Sequence, residues 1–136
     1  MIVVDNNIIC YFWLQHDYSE LAQQAMKKDS HWLVPPLWSS EFLNVLAGYM
    51  RSAKLPFAKA VELASSAKRF FNGREYKVLP EDILALVQES SCSAYDCEYV
   101  ALAKRMNVSL VTEDKKVLSA FPQYAVSLKS FVKGLS

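Results

Sequence analysis

Glycine is scarce in this sequence: 3 of 136 residues, against roughly 7% in average proteins. A chain this poor in glycine and rich in alanine and leucine lacks the turn chemistry of an all-β sandwich and favours helices. No apolar run approaches membrane length. The longest, Ile8 to Leu14, has seven residues, where a bilayer span needs about 20, so no membrane association is expected. The chain opens Met1-Ile2-Val3-Val4, without a basic stretch ahead of a long apolar one, and no secretory leader is expected. Cysteine is sparse, odd in number and widely placed, at Cys10, Cys92 and Cys97. That pattern suits free thiols in a reducing cytoplasm better than a disulfide framework. With only His16 and His31 besides, no zinc-ligand spacing is present.

What remains is an ordinary globular composition. Hydrophobic residues make up 52% and charged residues 21%, which excludes intrinsic disorder. The size fits one domain, and no linker, repeat or low-complexity stretch interrupts it, so residues 1–136 are expected to form a single unit. The net charge of +1 implies no polyanion partner by itself, but its distribution is uneven. Residues 1–26 carry Asp5, Asp17 and Glu20 and no lysine or arginine. Residues 51–77 carry seven basic and two acidic residues, and residues 80–98 carry five acids and no base. If the acidic segments meet in space they form a cation site, with basic segments available to flank it.

Ile2-Val3-Val4 reads as a short buried strand. Helices are expected over 7–14 and 19–28, then a strand over 31–34 closed by Pro35-Pro36. Leu37 to Ala53 is helical, with Trp38, Phe42, Leu46 and Tyr49/Met50 recurring along one face. Pro56 opens the next helix, which ends near Asn72-Gly73. Tyr76 to Leu79 suggests a strand, and Pro80-Glu81-Asp82 begins a helix reaching about Ser90. Tyr95 to Met106 is a helix whose middle, Tyr99 to Ala103, is apolar all round and reads as buried. A strand over 108–111, a helix over 113–120, a short strand near Ala125-Val126 and a final helix from about Ser127 complete the chain. Strands alternating with helices predict a parallel sheet with helices on both faces. In such sheets the functional crevice lies outside the carboxyl ends of the strands.

Two carboxylates fall there. Asp5 follows the first strand, and Asp114 lies three residues after the 108–111 strand. Two others interrupt inward-facing apolar stripes. Glu41 shares a helix line with Leu37, Trp38 and Val45, and Asp96 with Val100 and Ala103. Each has a plain structural reading as well. Asp5 could cap a helix or close an Asx turn. Asp114 could stabilise a helix first turn through the macrodipole. Asp96, three residues after Ser93, fits a capping box. A helix-edge glutamate such as Glu41 commonly reaches solvent. The functional reading rests on all four reaching one edge. Unpaired buried carboxylates are costly, and Mg²⁺ or Mn²⁺, which prefer carboxylate and water oxygens, would compensate them.

These acids sit in a recognisable set of motifs: Ile2-Val3-Val4-Asp5-Asn6-Asn7, Leu37 to Leu46 around Glu41, Ser93-Ala94-Tyr95-Asp96-Cys97-Glu98-Tyr99-Val100-Ala101-Leu102-Ala103, and Leu110-Val111-Thr112-Glu113-Asp114-Lys115-Lys116-Val117-Leu118. In order and spacing, over essentially the whole chain, the sequence resembles the PIN-domain ribonucleases, specifically the VapC-type toxins of toxin–antitoxin modules. The resemblance implies a three-layer α/β/α domain with a mainly parallel sheet and a Mg²⁺- or Mn²⁺-dependent endoribonuclease site. It implies that Asp5, Asp96 and Asp114 are metal-site carboxylates, that Glu41 completes the site and helps position water, and that Thr112 supports Asp114. It also implies RNA as substrate, an inhibitory antitoxin partner and a homodimer. Where the family commonly has Thr or Ser after the first aspartate, this chain has Asn6, which retains an acceptor and two donors able to order Asp5 or water. Glu98 is read as peripheral to the site and Glu113 as first-turn stabilisation.

Other classes fit less well. A PIN nuclease in RNA processing would use the same acids on another substrate. A degenerate PIN domain that only binds protein or RNA predicts lost carboxylates, and all four are present. A phospho-accepting receiver domain needs adjacent acids after its first strand, where this chain has Asn6 and Asn7.

Overall fold

The computed structural model describes residues 1–134. Four short parallel strands form its sheet: β1 (Ile2–Val4), β2 (Trp32–Leu33), β3 (Leu110–Val111) and β4 (Ala125–Val126), in the order β2-β1-β3-β4. Val3 pairs with Leu33 on one side and Leu110 on the other, and Val111 pairs with Val126. β1 and β3 are buried on both faces, which explains their unbroken apolar character.

Eight helices surround the sheet among the described residues: α1 (Asn6–Trp13), α2 (Ser19–Lys28), α3 (Leu37–Arg51), α4 (Phe57–Phe71), α5 (Pro80–Gln88), α6 (Ala94–Met106), α7 (Lys115–Ala120) and α8 (Leu128–Lys133). They divide into two packing groups. α1 packs on α2 and α3, α2 on α8, and α3 on α4, while α5 packs on α6 and α6 lies against β1 and β3. This is the expected α/β/α layering. From β1 the chain crosses to β2 on one side, and from β2 it returns past β1 to β3 on the other. In the second connection α3 and α4 stay with α1 and α2, while α5 and α6 form the other packing group. The crevice between β1 and β3 is therefore the point where the connections diverge, above the strands' carboxyl ends.

The core is aliphatic in the sheet and aromatic beside it. Trp13 meets Phe42, Phe70 and Phe71 at ring-centroid distances of 6.5, 5.5 and 5.7 Å, and Trp38 meets Phe71 at 4.6 Å. Tilted and edge-on aromatic pairs of this kind contribute about 0.5–1.5 kcal/mol each beyond area burial. They tie the α3–α4 hairpin to α1. The apolar run at the start of the chain is only partly covered: Ile8, Ile9 and Leu14 are buried, and Tyr11, Phe12 and Trp13 are half-buried.

One expected strand is absent. Over 76–79 the chain is irregular, and only Glu75 bridges to Val34. Val34 N–H donates to Arg74 O and Tyr76 N–H to Val34 O. The next residues of the would-be partner are Pro35 and Pro36. Proline has no N–H to donate, so the ladder stops there. The helix expected over 113–120 starts later, at Lys115, because Asp114 is its N-cap. α1 starts at Asn6 because Asp5 caps it. No helix among the described residues is long and apolar enough to cross a membrane.

Candidate active site

Asp5 leaves β1 in extended conformation and its N–H continues the ladder to Val111 O at 3.1 Å. Its side chain turns back onto α1, where Oδ1 accepts from Asn6 N–H at 2.7 Å. Oδ2 accepts from the Thr112 hydroxyl, also at 2.7 Å. Thr112 is fully buried at the end of β3, so this bond spans the β1–β3 crevice. The same hydroxyl accepts from Asp114 N–H at 3.1 Å. Thr112 thus serves the Asp5 carboxylate and, through its hydroxyl, the Asp114 backbone N–H.

Asp114 Oδ1 accepts from Lys116 N–H and Val117 N–H at 2.9 and 3.2 Å. On the opposite packing group, Asp96 sits in the first turn of α6. Its N–H donates to Ser93 Oγ at 3.1 Å, the expected capping-box contact. Val100 and Ala103 below it on the helix are fully buried, so Asp96 heads an inward stripe. Glu41 approaches from α3, and its Oε1 accepts from the Tyr99 hydroxyl at 2.7 Å.

The electrostatics tie these acids together. Asp5 is 7% exposed, and burial pushes its carboxyl up from 3.8 to about 6 against the bonds from Thr112 and Asn6, with repulsion from Asp96 and Glu41 adding to the rise. Burial also raises Glu41, opposed by the Tyr99 hydrogen bond and reinforced by Asp96 and Glu98. Asp96 is raised by burial and then by Asp114, while its bonds with Ser93 and the charge of Lys116 act the other way. Every one of the four acids is therefore coupled to at least one other. The Cys10 thiol, on α1 beside them, is pushed up to about 12 by burial and by the charges of Asp5 and Glu41.

Among the described residues no Lys, Arg or His forms an ion pair with these acids, although the charge of Lys116 reaches Asp96. The ion pairs among the described residues join the Met1 amino group to Asp29 and Lys59 to Glu62, away from these acids. Among the described residues, no three His, Cys, Asp or Glu side chains converge as a ready-made metal cage. An all-carboxylate set, partly desolvated, has the donor chemistry that suits a hard divalent cation.

Three neighbouring residues differ from expectation. Asn6 orders Asp5 through its backbone N–H, and its side-chain oxygen faces the Cys10 thiol at 3.9 Å. Glu113 lies outside α7, and its Oε1 accepts from Leu128 N–H at 2.8 Å, so it fastens the start of α8. Tyr99 is the residue missed in the sequence: it reads as part of an apolar helix core and is buried, yet its hydroxyl reaches Glu41. Its spacing of three from Asp96, which places both on one helix face, was the available signal.

The basic stretch over 51–77 is partly engaged within the fold. Lys59 pairs with Glu62, Arg74 donates to Ser30 O and lies over the Phe70 ring, and Lys54 lies over Tyr49. Lys115 and Lys116 are exposed, directly after Asp114. Between α1, α3 and α4 runs a groove of about 460 Å³ lined by Trp13, Leu14, Tyr49, Leu55 and Leu63, with Lys54 and Lys59 at its sides.

The fold is a parallel α/β domain with Asp5 and Asp114 just beyond the carboxyl ends of β1 and β3, at its topological switch point. The PIN domain sequence pattern matches residues 2–124, and the chain belongs to the PIN-domain family. It is similar to Ribonuclease VapC3 of Pyrobaculum aerophilum, 27% identical over 124 residues, which cover 89% of this chain and 95% of that protein. The crystal structure of PAE2754 from Pyrobaculum aerophilum superposes with a TM-score of 0.77 at 18% identity, covering 98% of this chain and 94% of that one. FitAcB from Neisseria gonorrhoeae superposes with a TM-score of 0.70 at 17% identity, covering 95% and 99%. At these identities the two structures speak to the fold alone.

Proposed function

We propose that this chain is a VapC-type toxin: an endoribonuclease that hydrolyses RNA phosphodiester bonds with Mg²⁺ or Mn²⁺ held by Asp5, Asp96 and Asp114. The observation that supports the reading best is mutual repulsion among four carboxylates, one after β1, one on α3, one on α6 and one after β3, none with an ion-pair partner among the described residues. Membership of the PIN-domain family and the likeness to a protein named Ribonuclease VapC3 support the substrate class.

A divalent cation in such a site supplies Lewis-acid neutralisation of phosphate charge and lowers the pKa of water. The chain's own residues prepare the rest. Thr112 and the Asn6 N–H fix both oxygens of Asp5 in direction. The N–H groups of Lys116 and Val117 hold Asp114 Oδ1 and leave its other oxygen directed elsewhere. Ser93 fixes the turn that carries Asp96. Glu41, held by one oxygen, is the acid best suited to accept a proton from an attacking water. Lys115 and Lys116 adjoin the site and suit contacts to RNA phosphates on either side of the scissile bond.

This reading includes a cytoplasmic protein that forms a homodimer and is silenced by a cognate antitoxin. The groove between α1, α3 and α4, with its aromatic and aliphatic lining, suits an apolar segment of such a partner. The test is cleavage of total cellular RNA by the purified protein with Mg²⁺ or Mn²⁺. Cleavage that stops with EDTA and is absent in Asp5→Asn supports the proposal. Cleavage that survives both would reject it.

A further inference from the structure

The Glu41 carboxylate is anchored by one side-chain bond, and that bond comes from the opposite packing group. Tyr99 is 1% exposed, and its hydroxyl donates to Glu41 Oε1 at 2.7 Å. Among the described residues no second hydrogen bond to the Glu41 carboxylate is present, so Oε2 is left for water or substrate. A buried phenol usually needs a partner, and here that partner is a carboxylate coupled to Asp96 and Glu98. Tyr99 stands three residues after Asp96, so α6 delivers both side chains from one face. The helix that supplies one acid therefore also holds another.

We infer that Tyr99 is a positioning residue for the nuclease reaction: its hydroxyl fixes the rotamer of Glu41 and links α3 to α6. The inference rests on the nuclease reading for its catalytic consequence but not for the contact.

Tyr99→Phe removes one oxygen and keeps the ring that packs. In single-turnover RNA cleavage it should lower kcat by about 10- to 100-fold, the usual effect of losing a group that orients an active-site ligand, with KM for RNA nearly unchanged. In a Glu41→Gln background the same change should have little further effect, because Tyr99 acts through Glu41. Independently of activity, a double-mutant cycle of Tyr99→Phe and Glu41→Ala on the melting of the metal-free protein should show the two positions to be non-additive. If Tyr99→Phe melts far below wild type, 3-fluorotyrosine at position 99 keeps ring and hydroxyl and should retain both stability and cleavage rate. Wild-type kcat in folded Tyr99→Phe, a pure KM effect, or full additivity with Glu41→Gln in kcat overturns the role. Additive stabilities in the Glu41→Ala cycle overturn the contact. If the wild-type protein fails to cut RNA but the stabilities are non-additive, the nuclease reading fails and the Tyr99–Glu41 link stands.

Discussion

The two strand-end acids and the two helix-borne acids are held in different ways. Asp5 and Asp114 follow β1 and β3 and are each the N-cap of the helix that comes next. Their carboxylates are fixed by backbone N–H groups, and Thr112 links the Asp5 side chain to the Asp114 backbone. Glu41 and Asp96 project from helices of opposite packing groups: Tyr99 donates to the Glu41 carboxylate, and Ser93 Oγ accepts from the Asp96 backbone N–H. The lesson is that helix capping and a place in the site are compatible. The cap supplies the donors that let a carboxylate sit at the crevice, and the unused lone pairs face outward for chemistry. The strand-end pair is held by backbone donors at the starts of α1 and α7, and Glu41 is held by one side-chain bond that links α3 to α6.

Breaking the charge while keeping the shape should have the largest effect. Asp5→Asn, Asp96→Asn and Asp114→Asn should each lower kcat/KM on RNA on the order of 10³-fold or more, as expected when one member of a group acting as a unit is removed. Circular dichroism should show an unchanged fold. Full activity in any of the three, correctly folded, would remove that residue from the mechanism.

A smaller effect separates Asp5 from its partner in stability. Its carboxyl lies at about 6 in the folded protein against an ordinary 3.8, chiefly through burial. Between those values the native protein binds a proton that the unfolded chain has released. Asp5 therefore contributes most to metal-free stability below 3.8, and that contribution is lost as pH rises through about 6. At neutral pH the loss is up to about 3 kcal/mol. Asp5→Asn, offset by about 1 kcal/mol for one weakened hydrogen bond, should raise the melting temperature of the metal-free protein at pH 7.5. The gain should disappear near pH 4. A lowered melting temperature at pH 7.5 would mean that the carboxylate is paid for by interactions other than those described here.

The smallest effect tests the cap alone. Asparagine caps a helix about as well as aspartate, so Asp114→Asn should melt close to wild type. Asp114→Ala should be about 1 kcal/mol less stable, and both should be equally inactive. Equal stability of the two variants would show that the bonds to Lys116 and Val117 N–H do not support α7.

Much of this was legible in the sequence. The β-branched starts of β1 and β3, the acidic or capping residue after each, and the apolar stripes broken by Glu41 and Asp96 reveal the sheet edge and the acids near it. Three things were not legible for physical reasons. The strand expected over 76–79 has suitable residues, but its partner runs into Pro35-Pro36, and strand propensity does not report the donors a neighbour lacks. Tyr99 looks like core because a buried phenol and a buried phenylalanine leave the same periodicity. Thr112 and Glu113 bond across the fold, to Asp5 and to Leu128, through contacts that local spacing does not encode.

The central proposal is that Asp5, Asp96 and Asp114, drawn from the two differently held pairs, hold one divalent cation with Glu41 beside it. Calorimetric titration of Mn²⁺ into the metal-free protein tests it without depending on a substrate. Saturable binding should be seen in the wild type and be lost in the Asp5→Asn/Asp96→Asn double variant, which removes one acid from each pair. Binding of equal affinity in that double variant, or none in the wild type, would contradict the account.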